Sequence, residues 1–186
     1  MKKQVLIVVL ALMTVSVQSQ EKATVSKSKS VEFSEKDGSL LKREFYDLSK
    51  IKGVENQILI ISNITTSQKI GCLRLTTSSY SKYGDDSYIG TLDLDEISAC
   101  KKSLEHIQNE LLPTTPEIYT ECVYSTRDGL KFTAFYSIKE SKWTIAVYVK
   151  GYTAKSASIL DSNDLKSYIS LLSEAEASIK AKLAAK

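Results

Sequence analysis

Apolar positions recur along this chain with two different spacings, and the switches between them set out its plan. Residues 57–66 are a β-branched run centred on Ile58-Leu59-Ile60-Ile61, and residues 70–77 alternate so that Gly71, Leu73 and Leu75 share a face; both read as strands. Before them, Val31-Glu32-Phe33 and residues 40–48 flank Asp37-Gly38, a dipeptide suited to the positive φ of a tight turn, and predict a hairpin. Residues 78–86 (SSYSKYGDD) read as a loop leading to a short strand at 88–92. The period then changes. Ile97, Cys100, Leu104, Ile107 and Leu111 fall three and four apart, one apolar stripe on a helix. Asp93 or Asp95 can cap its start, and Pro113 and Pro116 stop it.

The second half repeats the plan. Residues 118–125 and 130–138 flank Asp128-Gly129, residues 143–149 follow a turn at 139–142, and a short strand precedes Asp161. A final helix carries Leu165, Tyr168, Leu172, Ala175, Ile179 and Leu183 on one face, with 179–186 read as a frayed, Lys-tipped end. The two strand-to-helix junctions align without gaps. Leu92-Asp93-Leu94-Asp95-Glu96-Ile97 superposes on Leu160-Asp161-Ser162-Asn163-Asp164-Leu165, and Leu104 then falls on Leu172. The pattern predicts an α+β fold of two β-rich halves, 31–112 and 117–184. Each has about four antiparallel strands and ends in an amphipathic helix packed on the sheet, as an internal duplication would produce.

The first residues bear on location. Lys2 and Lys3 precede an apolar run at 5–13 that is too short to span a bilayer, and Val17-Gln18-Ser19 offers a cleavage site. Residues 1–19 are therefore expected to be a signal peptide cleaved near Ser19, with 20–30 a flexible polar leader to a single domain at 31–186. Gln20 rather than Cys follows, which argues against lipid attachment. Export to the periplasm or beyond excludes most nucleotide-dependent chemistry. The chain has 25 basic and 22 acidic residues, so without Lys2 and Lys3 its charge is near +1. That balance leaves no electrostatic footprint for nucleic acid, and no transmembrane segment is expected in the mature chain.

The chemical inventory is sparse. The single His106 lies off the helix stripe with no carboxylate placed to orient it, and no nucleophile elbow, metalloprotease motif or phosphate loop occurs. Asp85-Asp86 reads as a solvated turn, and Asp93, Asp95 and Glu96 as helix-capping acids. Cys72, Cys100 and Cys122 match no metal or redox spacing. They read as buried free thiols, with a Cys72–Cys122 bridge as the alternative. No catalytic residue, metal or cofactor is expected. Tyrosine, with ten copies, is the residue type suited to recognition. If their strands are neighbours, Tyr124, Tyr136 and Tyr148 form a cross-strand row, and Tyr80, Tyr83 and Tyr88 group around the 78–86 loop. Core filling by the strand-row tyrosines is the alternative.

The segments at 88–96 (YIGTLDLDE), 119–121 (YTE) and 142–144 (KWT) resemble a group of uncharacterised exported bacterial proteins, which implies no particular activity. The order of four strands and a helix, twice, is similar to the whirly and PUR-alpha single-strand nucleic-acid binders in topology only; none of their binding motifs is matched. The expected function is a non-catalytic binding or interaction module with an envelope or extracellular partner. The alternatives are a hydrolase, carbohydrate-active or otherwise, whose carboxylate pair is assembled from distant positions, and a structural envelope protein.

Overall fold

The computed structural model describes residues 27–81 and 84–185; the expected signal peptide and residues 20–26 of the leader lie outside the described residues. In chain order the elements are α1 (Lys29–Ser34), β1 (Leu41–Asp47), β2 (Glu55–Asn63), β3 (Lys69–Ser81), β4 (Gly84–Asp93) and α2 (Leu94–His106). They continue with β5 (Thr120–Ser125), β6 (Lys131–Ser137), β7 (Lys142–Tyr148), β8 (Ala157–Leu160) and α3 (Ser162–Ala184). A π-helical turn, Ile107–Leu111, extends α2. The strands form two antiparallel meanders in the orders β1-β2-β3-β4 and β5-β6-β7-β8. The α+β architecture in two β-rich parts is thus the one observed.

The aligned junctions are used alike. Asp93 caps α2 and Asp161 caps α3, each with an acidic residue three positions on that accepts from the cap's own backbone N–H. Leu92, Ile97 and Leu104 are buried, as are Leu160, Leu165 and Leu172. The halves nevertheless share one core. At 23 residues α3 is about 35 Å long, and it crosses from its own sheet to the other. Tyr168 meets Phe132 of β6 edge-to-face, with ring centroids 5.2 Å apart. Farther along, Ile179 sits on β3 where Gly71 has no side chain; a Cβ there would lie 2.5 Å from Ile179 Cγ2. Gly90 makes the matching contact between the sheets, since a Cβ would lie 2.2 Å from the Val149 carbonyl oxygen. The end of α3 is therefore not frayed: Ile179 is buried and the Lys182 ammonium lies over the Tyr46 ring.

Two local expectations are corrected. Residues 31–33 belong to α1, not to a hairpin strand. Ser28 caps that helix by accepting from Val31 N, and the Asp93 carboxylate accepts from Lys29 N (2.6 Å) and Ser30 N (3.0 Å). Ser28 and Ser30 are buried, so the described end of the leader is docked. Residues 78–81 and 84–86 are not a loop either. β3 and β4 continue outward as a polar ribbon, with Ser78 opposite Ser87 and Tyr80 opposite Asp85.

Candidate functional site

The second sheet has one buried and one open face, and the register says which residues occupy each. Phe132 pairs with Tyr124 and Val147, and Ala134 with Cys122 and Ile145; this side meets the helices. The opposite parity points outward: Glu121, Val123, Lys131, Thr133, Phe135, Thr144, Ala146, Tyr148 and Ile159. Tyr119, one step before β5, has the same parity as Glu121, and the turn after β7 brings Tyr152 back across this face.

These side chains are organised by hydrogen bonds. The Tyr152 hydroxyl donates to Glu121 Oε1 at 3.2 Å and the Tyr119 hydroxyl to Oε2 at 3.3 Å, so one carboxylate fixes two rings. Tyr148 packs edge-to-face on Tyr152 at 5.3 Å, and the Lys131 ammonium lies 4.3 Å from the Tyr152 ring centre. Desolvation, and then Glu121, push both donating hydroxyls above the ordinary tyrosine range, which keeps them protonated as donors. Thr133 and Ala146 point outward yet are buried, because this aromatic layer covers them. The layer itself stays open: Tyr119, Tyr152 and Ile159 are 59%, 57% and 58% exposed.

The tyrosines singled out from sequence do not form one row. Tyr124 lies opposite Phe132 whereas Tyr136 lies opposite Thr120, four positions along, and Tyr148 is on the other face of the sheet. Tyr136 is buried, and Tyr124 is half-buried with its hydroxyl donating to the Glu96 carbonyl at 3.0 Å. Tyr148 alone of the three joins the open face. Tyr88 packs against the core from the first sheet. The backbone of Tyr80 pairs in β3, and Tyr83 lies outside the described residues. Tyr119 and Tyr152 were not among the expected site residues. The outward parity of 119, 121 and 123 was readable for Tyr119; the fold-back of Tyr152 from a turn was not.

Elsewhere several acidic groups are engaged. Arg127 bridges Asp93 (2.9 Å) and Asp95, with Glu96 at 3.5 Å, and it holds the Asp95 carboxyl down at about 2. Asp86 pairs with Lys155 and Asp128 with Lys150, both at 2.9 Å. His106 is exposed and shares an apolar cleft of about 320 Å³ with half-buried Cys122. All three cysteines are free, and burial pushes the Cys72 thiol up to about 12. The Cys72–Cys122 bridge is thus not formed. Among the described residues, no group of three or more His, Cys, Asp or Glu is placed to hold a metal, and no helix is long and apolar enough to cross a membrane. Comparison of the chain with protein-family models, curated proteins and solved structures gave no match.

Proposed function

We propose that the protein is an exported, non-catalytic binding module that engages a macromolecular partner of the envelope or exterior through the outer face of its second sheet. The carrying observation is the pair Tyr119 and Tyr152, both more than half exposed and both tethered to Glu121. Tyrosine offers a large ring with only two side-chain torsions, and tethering removes part of the freedom that binding would otherwise cost. Exposed Val123 and Ile159 add apolar area around it, and Glu121 and Lys131 add charge of both signs. Export is supported by Lys2, Lys3 and the short apolar run that follows them.

The hydrolase alternative needs two carboxyl groups about 5–9.5 Å apart flanking a substrate. A groove of about 580 Å³ beside Trp143 is lined by Asp161 as its single carboxylate. Asp93, Asp95 and Glu96 are tied to Arg127. Both facts favour binding over hydrolysis.

The test is site-specific photo-cross-linking in the cells that make the protein. A photoreactive side chain at position 152 is expected to give a discrete adduct, and one at position 33, on α1 and packed against the first sheet, none. Substituting Tyr119→Ala should weaken the adduct-forming complex by about 2 kcal/mol, as for interface anchors generally. Equal adduct yields from positions 152 and 33 would count against the reading.

A further inference from the structure

A second site lies at the end of the same sheet, where β8 stops short. β8 pairs only with Ile145–Tyr148 of β7 and then turns away at Asp161 into α3, so Lys142, Trp143 and Thr144 run on past it. The space beside them is the groove of about 580 Å³, well within the size of small-ligand sites, about 300–1,000 Å³. Its base is aromatic. Trp143, half-buried, packs edge-to-face on buried Tyr136 with ring centroids 5.5 Å apart, and its indole N–H donates to the Thr114 carbonyl at 2.9 Å. That bond fixes the ring against the loop following α2. The walls are hydroxylic: Thr114 and Thr115 come from that loop, Ser141 from the turn before β7, and Ser162 from the start of α3. One ammonium, Lys142, and one carboxylate, Asp161, complete the lining, and each is already paired outside it, Lys142 with Glu140 and Asp161 with Lys52, so the groove carries little net charge.

We propose that this groove binds a neutral oligosaccharide. A pyranose ring has an apolar C–H face that stacks on an indole and a rim of hydroxyls that both donate and accept, which suits an aromatic base with hydroxyl walls. An anion fits worse. Asp161 Oδ1 already accepts from Asn163 N at 2.8 Å and Asp164 N at 3.0 Å, so a carboxylate occupies the α3 N-terminus and repels a second one. A peptide added as a strand fits worse too, because only Lys142–Thr144 extend beyond β8 and the backbone bonds available are few. The inference stands apart from the outer-face reading. Thr144 and Ile159 of its rim nevertheless belong by register to the outer face, so a longer glycan has a continuous path from one to the other.

The chain has one tryptophan, so Trp143 fluorescence reports directly on the groove. The full-length purified protein is titrated with cellotriose, chitotriose, maltotriose, xylotriose and mannotriose, with inorganic phosphate and tetra-alanine as the anion and peptide arms. The expected result is a saturable change with at least one of the sugars, half-complete at about 1 mM or below. Thr115→Phe, at an exposed loop position, puts a ring into the open groove and should weaken that binding at least about tenfold by calorimetry. The Tyr119→Ala/Tyr152→Ala double variant should bind the sugar within about twofold of the parent, since separated sites act independently. Absence of saturable binding to every sugar overturns the proposal, as does a response confined to phosphate or tetra-alanine, or indifference to Thr115→Phe. Loss of sugar binding in the tyrosine double variant overturns the separateness of the two sites. Failure of cross-linking from position 152 bears only on the outer face.

Discussion

The outward face of the first sheet carries Leu59, Ile61 and Cys72 beneath α1, whose Phe33 packs against them, with Phe45 and Ile89 partly exposed beside that cover, whereas the outward face of the second carries Tyr119, Val123, Tyr152 and Ile159 with no helix over them. The covered face needs its cover held. A six-residue helix does not persist alone in water, and α1 is held by Asp93, whose carboxylate accepts from Ser28 Oγ, Lys29 N, Ser30 N and Arg127 Nη2. Asp93 thereby ties three parts of the chain together: the entering segment, α2 and the Asp-Gly turn of the second half. Asp161, in the same place in the second half, caps its own helix and pairs with Lys52 at 3.3 Å in solvent. No short helix needs anchoring there. In one half the aliphatic centre of the outer face, Leu59, Ile61 and Cys72, is closed by a dedicated element held by a charge cluster around Asp93. Leaving the other half's aromatic face exposed therefore calls for a functional reason.

The sharpest way to break this comparison is to remove the anchor. Asp93→Ala leaves Arg127 without its buried partner and the α1 N–H groups without an acceptor, and should cost about 3–5 kcal/mol in chemical denaturation. Leu104→Ala and Leu172→Ala serve as matched controls in the shared core and should each cost about 2–5 kcal/mol. Asp161→Ala, an exposed cap, should cost about 1 kcal/mol; a loss equal to that of Asp93→Ala would erase the difference between the junctions. Cys72 sharpens the point kinetically. In the native protein its shielded thiol should label slowly, and in Asp93→Ala labelling should accelerate as α1 lifts, while Cys100, on the helix stripe, should remain slow in both.

The smallest effect is on pH. The Asp95 pKa is lowered in the folded state, first by its bonds to Arg127. The stability it contributes is complete above its unfolded value of about 3.9, and is lost as pH falls through about 2. Because Asp95 is half exposed, solvent keeps this contribution small. An Arg127→Met variant should show a flatter stability profile between those two values.

Much of the frame was legible because helices and strands bury stripes of fixed period. Ile97, Leu104, Leu165 and Leu172 announced both helices, and their capping aspartates announced the junctions. What escaped depended on partners distant in sequence. Val31-Glu32-Phe33 has strand-like composition, and its helix exists because Asp93, more than sixty positions on, accepts its first N–H groups. The polar ribbon after Thr77 looked like a loop because exposed strands carry no apolar alternation to betray them. The tyrosine row failed on register. Four residues of offset separate Tyr124 from Tyr136, and parity sends Tyr148 to the opposite face. The open-face cluster depends on a turn folding Tyr152 onto Glu121, a contact across 31 positions.

Hydroxyl-radical footprinting tests most directly whether the bare face is the working one, by comparing the purified protein with the same protein in intact cells. In the purified protein Tyr119 and Tyr152 should be oxidised readily and the buried Tyr136 and Tyr168 hardly at all. In cells the account predicts that Tyr119 and Tyr152 become protected while the exposed Phe45 of the first sheet stays as reactive as before. Undiminished oxidation of Tyr119 and Tyr152 in cells would contradict it.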